Sequence, residues 1–350
     1  MKKTIIRSIE RELGIFVRKK IKAYKFKRID ALLGSFITEF VERGGGKRIR
    51  PGLFILSYLG FSKQASLKKD ILRASLAFEL LHDFLLIHDD IIDNSPTRRG
   101  KPTMHIMFQR ALRQSDKIAK DLSMLAGDIL YAMAVEAFLC LQVKPQRKEY
   151  ALKIFLNSTV LTGAGEYKDI LNGLVSMKKI TLNDIRLNYL LKTAEYTFKA
   201  PLACAAAAAG AAKKDIARIS RYAELIGEAF QIQDDMIGLF ETSKKIGKSV
   251  LSDIIEAKKT LPLYLAYKKA SVAQRSFIEA SLSNQNLTFS DLKKIRGVIK
   301  NTGAYELTRK KISTLLQQAD ALLEKTAMRN KYKQAIRGFV AFCIQNDNKP

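Results

Sequence analysis

The 350-residue chain has no tryptophan, three cysteines and seven prolines, and it is short of acid, with 34 Asp and Glu against 61 Lys and Arg. Each shortage excludes something. Cys140, Cys204 and Cys343 are few, odd in number and far apart. They argue against a disulfide framework and suit a reducing compartment. Proline and the nineteen glycines are too sparse for a collagen-like or low-complexity chain. A disordered chain would not carry 47% hydrophobic residues. Long apolar runs are missing too. Charges interrupt the stretch Met1–Glu10 every few positions, unlike the core of a signal peptide. The most apolar run, 201–212, is mostly alanine and shorter than the roughly 18–20 residues of a membrane span. The expectation is a soluble, cytoplasmic protein.

What is present is helix-forming sequence. Ala, Leu, Lys, Ile, Glu and Gln dominate, apolar residues recur at helical spacing, and no alternating strand pattern with Asn-Gly or Asp-Gly turns appears. Breaks are expected at 44–51, 94–102, 143–145, 171–179, 210–215, 242–252 and 281–287, where Gly, Pro and Asn gather. The reading is all-α: one domain over 1–350, a bundle of long helices with a looser end after about residue 330. The small residues at 203–212 fit close helix packing rather than chemistry.

The formal net charge of +27 is the odd feature. It points to a polyanion, an anionic membrane surface or anionic small molecules, or to nothing beyond a Lys-rich surface. Resolved along the chain, it divides. Between Arg73 and Arg98 there is no Lys or Arg, yet Glu79, Asp83, Asp89, Asp90 and Asp93 lie there. Between Arg221 and Lys244 the same holds, with Glu224, Glu228, Asp234, Asp235 and Glu241.

On a helix, Asp89 and Asp93 fall one turn apart on one face, and His82, seven residues earlier, shares it. Their neighbours Phe84, Leu85, Leu86, Ile87, Ile91 and Ile92 are apolar. Carboxylates so placed repel each other, and a divalent cation removes the repulsion. Oxygen ligands alone select a hard ion, Mg²⁺ or Mn²⁺. Gln231, Asp234 and Asp235 form a second polar face on an apolar helix. Cations flank both: Lys47, Arg48 and Arg50 after three glycines, then Arg98, Arg99 and Lys101, and later Lys244, Lys245, Lys248, Lys258 and Lys259. The glycine run is not a Walker loop, because its spacing is wrong. Forked Arg donors and Lys charges beside acid-held Mg²⁺ suit a diphosphate and its departure.

Taken together, these motifs resemble the trans-isoprenyl diphosphate (polyprenyl) synthase family over about 44–262. The match comprises Gly45-Gly46-Lys47-Arg48-Ile49-Arg50-Pro51, His82 with Asp89 to Asp93, Arg98-Arg99-Gly100, Gly127-Asp128 and Gly165-Glu166. It continues through Lys192-Thr193, Phe230-Gln231 with Asp234-Asp235, and Gly247-Lys248 with Asp253 and Lys258 to Pro262. The resemblance implies α-helices around a deep cavity, a homodimer, and two Asp motifs facing each other across the cavity mouth. It implies head-to-tail condensation of isopentenyl diphosphate with an allylic diphosphate by ionisation, attack and proton loss. By motif position, Asp89 and Asp93 hold two of three Mg²⁺ ions, with Asp90 supporting. Asp234 holds the third, with Asp235 acting through water. Arg98, Lys192, Lys248 and Lys258 take the allylic diphosphate. Lys47, Arg50, His82 and Arg99 take isopentenyl diphosphate. Thr193 and Gln231 set oxygen dipoles near the cation.

Departures from the pattern are Gly238, where many relatives have a third Asp, and Leu251 and Ala257, where Gly is usual. The aromatic Phe84, five residues before Asp89, with the non-aromatic Leu85 at four before, resembles geranylgeranyl (C20) synthases. Helix geometry turns Phe84 roughly 140° from the Asp89 face, so the family and not periodicity carries this assignment. Farnesyl (C15) and C25 products are the alternatives. Other classes are less well matched. A terpene cyclase lacks the Lys47/Arg50 cluster and a second Asp-Asp pair of this type. A non-catalytic subunit of a heteromeric synthase typically loses one Asp motif. A nucleic-acid binder leaves both acidic windows unexplained, and no nucleic-acid partner is expected. The basic stretch Arg18–Arg28 reads as a solvated helix face, with membrane-surface contact as the alternative.

Overall fold

The computed structural model describes residues 2–43, 46–63, 66–98, 100–241, 251–282 and 284–344. Helices occupy most of these. In chain order they are α1 (Lys2–Ala23), α2 (Ala31–Glu42), α3 (Ile49–Phe61), α4 (Lys69–Ile92), α5 (Met104–Leu112), α6 (Asp116–Leu139), α7 (Pro145–Leu174) and α8 (Leu182–Asn188). A π-helical segment, Tyr189–Lys199, runs into α9 (Ala200–Ala209), and α10 (Lys213–Phe240) follows. The remaining helices are Ser252–Ile255, Leu261–Lys269, Val272–Ser281, Phe289–Asn301, Ala304–Glu324 and Asn330–Ile344. The one sheet among the described residues is a hairpin of two-residue strands, Thr97–Arg98 against Lys101–Pro102. The all-α expectation holds; the break expected at 94–102 falls between helices, and a helix boundary falls inside each of those expected at 143–145, 171–179, 210–215 and 281–287. The break expected at 242–252 lies mostly outside the described residues.

By contact the chain forms two compact units. One comprises Met1–Phe155, Ala200–Ile216 and Ala327–Cys343, and the other Leu156–Lys199, Ala217–Thr326 and Ile344–Pro350.

In the first unit α4 lies along α6, and a cluster of Phe54, Phe78, Phe138 and Phe155 fills the core with ring centroids 5.1–6.5 Å apart. The alanines of α9 are buried against α3, where the Ser57 hydroxyl donates to the Leu202 carbonyl at 2.8 Å. Small side chains allow that approach, as expected. The looser end expected after residue 330 is instead the helix Asn330–Ile344. Tyr332, Ile336, Phe339, Val340 and Cys343 supply a buried stripe at helical spacing. Gly52 of α3 makes room for it, since a Cβ there would meet the Phe339 ring at 2.7 Å. Part of the basic stretch Arg18–Arg28 is also paired, although Arg18 stays exposed. Arg18 meets Glu42 at 2.6 Å and Lys20 meets Glu136 at 2.8 Å, while Lys25, Lys27 and Arg28 stay exposed.

In the second unit two glycines bring backbones together. A Cβ on Gly165 of α7 would lie 2.4 Å from the Lys192 nitrogen. A Cβ on Gly227 of α10 would lie 2.3 Å from the Ala194 Cβ. The π-helical segment is thus held against both helices, and it carries Lys192 and Thr193. Such widened turns are rare and gather at functional sites. Capping boxes begin three helices of this unit: Thr181, Ser271 and Thr288 each pair with the third residue on, at the starts of α8, Val272–Ser281 and Phe289–Asn301.

Gly227→Ala is expected to destabilise the protein by about 1–3 kcal/mol through overpacking. Gly297→Ala, where nothing lies within 4 Å of the added carbon, is expected to stabilise it by about 0.5–1 kcal/mol through helix propensity. Urea unfolding of both variants beside the parent checks the pair.

Candidate active site

The last turn of α4 builds the first carboxylate set. The helix stops because Asp93 caps it, donating its N–H to the Asp89 carbonyl at 2.8 Å, and Asn94 then turns left-handed at φ 53°. Asp89 and Asp93 remain one turn apart and part-exposed, while Asp90 is buried. The hairpin returns Arg98 to this turn. Its Nε donates to Asp90 Oδ1 at 2.7 Å and its second guanidinium nitrogen to Asp89 Oδ2 at 2.8 Å. One planar fork thus spans two adjacent carboxylates. Burial still pushes the Asp90 carboxyl up to about 6, against the pull of Arg98. The other Asp90 oxygen, Oδ2, is buried with no hydrogen-bond partner.

These oxygens fit a hard divalent cation better than any nitrogen or sulfur set would. Among the described residues no cage of three or more Asp, Glu, His or Cys side chains is assembled. A metal held by Asp89 and Asp93 therefore needs further oxygens, which a diphosphate can supply.

Phe84 is half-buried on α4, its ring 4.5 Å from the His88 ring and 5.4 Å from Tyr131 of α6. Gly127 explains how His88 fits: a Cβ there would lie 2.8 Å from its ring. Asp128 Oδ1 lies 3.5 Å from His88 Nε2. The Gly127-Asp128 motif thus receives His88, a role that nothing in the chain order announced. His82 is buried on α4 and Leu85 half-buried.

The cations before α3 divide in two. Arg48 is left-handed at φ 46° and forms an ion pair with Glu79 at 2.6 Å, both side chains almost fully buried. It ties α3 to α4. Lys47 instead donates to the Cys343 carbonyl at 3.4 Å, and Arg50 is buried on α3. Arg99 and Lys248, both expected to hold substrate, lie outside the described residues.

In the second unit Lys192 sits between two acids, 2.8 Å from Glu166 and 2.7 Å from Asp169. Asn188 Nδ2 donates to the other Asp169 oxygen at 2.8 Å. A hydrogen-bond chain begins one residue later. The Thr193 hydroxyl donates to Gln231 Oε1 at 2.7 Å, and Gln231 Nε2 donates to Asp235 Oδ1 at 3.0 Å. Tyr189 donates its hydroxyl to Asp235 Oδ2 and accepts from the Leu261 N–H at 2.7 Å. Asp235 is buried and held, while Asp234 is exposed. Lys258 lies 2.6 Å from Glu256. Ala257, at a position where Gly is usual, is left-handed at φ 55°, so the glycine preference there is conformational.

The structure brings Thr193, Gln231 and Asp235, each singled out in the sequence, into one hydrogen-bond chain, and adds Tyr189, Asp169 and Glu256, which the sequence reading missed. Asp169 had a signal, three residues after Glu166 on one helix face. Tyr189 had none, because its partner lies 46 residues away in the chain.

Complete burial, and secondly the Asp235 carboxylate, raise the Tyr189 phenol well above its ordinary range, so it stays a donor at any working pH. Tyr189→Phe removes one donor to a buried carboxylate and the hydroxyl that the Leu261 N–H donates to. It should cost about 1–3 kcal/mol of stability, read by urea unfolding. An unchanged unfolding midpoint would refute the Tyr189 assignment.

The family model for polyprenyl synthetase matches residues 31–299. The chain is 32% identical over 310 residues to a short chain isoprenyl diphosphate synthase of Methanocaldococcus jannaschii, covering 87% of this chain and 84% of that one. It is 29% identical over 313 residues to a geranylgeranyl diphosphate synthase of Saccharolobus solfataricus, covering 86% of each. An octaprenyl diphosphate synthase of Escherichia coli is 26% identical over 318 residues, 91% of each chain. The crystal structure of a geranylgeranyl pyrophosphate synthase from Corynebacterium glutamicum, complexed with isoprenyl diphosphate and magnesium, superposes with a TM-score of 0.87 at 27% identity, covering 96% of this chain and 98% of that one. The chain belongs to the polyprenyl synthetase family and is a prenyltransferase of the isoprenoid synthase fold.

Proposed function

We propose that the protein is a geranylgeranyl (C20) diphosphate synthase that extends an allylic diphosphate head-to-tail with isopentenyl diphosphate. The observation that carries this reading is the pairing of anion-binding cations with carboxylates. Arg98 bridges Asp89 and Asp90, and Lys192 bridges Glu166 and Asp169. Phosphate oxygens can replace those carboxylates as acceptors, freeing the acids for metal.

Asp89, Asp93 and Asp234 hold Mg²⁺, three ions being expected, and Mn²⁺ fits the same oxygens. Bound Mg²⁺ supplies Lewis-acid stabilisation of the departing diphosphate. Arg98, Lys192, Lys258 and Lys248 take charge on the leaving group as it develops. Thr193 and Gln231 turn neutral oxygens to the allylic cation, which survives because neither is a strong nucleophile. Lys47, Arg50, His82 and Arg99 hold isopentenyl diphosphate, whose C2 proton leaves to the released diphosphate. The intact carboxylates in both units speak against a non-catalytic subunit.

The C20 product rests on Phe84, which meets the His88 and Tyr131 rings before the Asp turn. Relatives with short-chain and geranylgeranyl names support it. Farnesyl and C25 products remain the neighbouring outcomes. A homodimer is part of the same reading. Among the described residues, α6 is the one helix long and apolar enough to cross a membrane, and 44% of its apolar window is buried. Its exposed Ile118, Met124, Leu125 and Leu139 form a face that a second copy would cover.

With Mg²⁺ the purified protein should convert isopentenyl diphosphate and dimethylallyl, geranyl or farnesyl diphosphate mainly to C20, and chelation should stop it. Consumption of neither substrate sinks the reading. Asp89→Ala is expected to lower kcat by roughly 10²–10³-fold or more through lost transition-state stabilisation. Phe84→Ala is expected to lengthen the product, read by chain-length chromatography, and an unchanged length refutes its role as the floor.

A further inference from the structure

Lys2 and Lys47 approach one aromatic ring. Lys2 Nζ lies 3.6 Å from the centroid of Phe342, and Lys47 Nζ lies 5.5 Å from it. The Phe342 ring belongs to the last turns of the helix Asn330–Ile344, and Lys2 opens α1. Lys2 and Lys47, 340 and 295 residues before Phe342 in the chain, therefore meet it at the cation cluster that precedes α3. A third cation belongs to the same place. Burial pushes the adjacent Cys343 thiol up to about 12, and Lys47, Arg50 and Lys2 all act on it in the opposite sense.

The pairing of these cations differs from that of the others. Arg98, Lys192, Lys258 and Arg48 each lie within ion-pair distance of a carboxylate. Among the described residues, Lys2 and Lys47 have no carboxylate partner. A ring face, and for Lys47 a carbonyl, are what hold them. A π face attracts an ammonium without neutralising it. Two ammonium groups set on one ring, each with its charge uncancelled, favour a multiply charged anion.

Resting on the assignment of Lys47 and Arg50 to isopentenyl diphosphate, we infer that Lys2 is a further cation of that diphosphate subsite, with Phe342 as the residue that positions both ammonium groups. The subsite thereby draws on both ends of the chain, outside the region 31–299 that the family model spans. Because isopentenyl diphosphate keeps its C–O bond in the reaction, its phosphates need charge without a metal to pull on that bond. Lysines held on a ring supply such charge.

The inference is tested by steady-state kinetics on the full-length enzyme, varying each substrate in turn. Lys2→Gln should raise KM for isopentenyl diphosphate roughly three- to tenfold, the scale of one part-exposed charged hydrogen bond. KM for the allylic primer and kcat should stay within twofold of the parent, and Lys2→Arg should restore the parent KM. Phe342→Leu should raise the same KM further, because it releases both cations. Thermal unfolding of each variant separates loss of binding from loss of fold. Binding of inorganic pyrophosphate without Mg²⁺, by calorimetry, should weaken in parallel in Lys2→Gln. An unchanged KM in Lys2→Gln alongside a raised KM in Lys47→Gln overturns the role of Lys2 alone. An unchanged KM in both variants overturns the assignment of isopentenyl diphosphate to this cluster, and the inference with it.

Discussion

Carboxylates set side by side on apolar helices need a counter-charge, and most of what is distinctive in this protein follows from how that need is met. Asp89 and Asp90 share Arg98, Glu166 and Asp169 share Lys192, and Glu79 takes Arg48. Two kinds of pair result. Arg48–Glu79 is almost fully buried and makes one permanent link between helices, of the sort that costs heavily to break. Arg98, Asp89, Lys192, Glu166 and Asp169 are part-exposed, so water and phosphate can compete for them, while Asp90 is buried. On the proposed function, part-exposure lets the same side chains stabilise the ligand-free fold and then turn to substrate.

The second constraint is backbone proximity. Gly165 and Gly227 let α7 and α10 reach the π-helical segment more closely than any side chain allows. The Thr193–Gln231–Asp235 chain depends on that closeness, since each of its hydrogen bonds is about 3 Å or shorter. Tyr189 then anchors the far end of Asp235 to the start of the helix Leu261–Lys269. The glycines thus belong to the site although they carry no chemistry. Buried networks of this kind reward full satisfaction and penalise a single missing partner.

Much of this was legible beforehand. The all-α class, most breaks and the two carboxylate sets can be read from helical spacing, because period and charge are local properties. Asp89, Asp93 and Gln231 could be placed relative to their own helices for the same reason. The partners of Lys192, the role of Gly127 beneath His88 and the ring shared by Lys2 and Lys47 could not. Each joins residues far apart in the chain, and no local pattern records which distant helix will lie alongside. The helix after residue 330 was also underread. Its apolar stripe is diluted by Lys and Arg on the outer face, and only packing on Gly52 shows which face is inward.

By itself, the order of residues determined that this chain folds as helices, that acid gathers in two windows of a basic background, and that oxygen donors there suit a hard cation and a diphosphate. Among the described residues, tertiary structure alone decided which cations meet a carboxylate and which rest on a ring or a carbonyl instead. Arg48 and Lys47 are neighbours with the same formal charge, yet one is cancelled in the core by Glu79 and the other rests on a ring and a carbonyl. Composition counts charges, but only the fold brings a carboxylate within reach of one of them, because Coulomb attraction acts on distance in space and not along the chain.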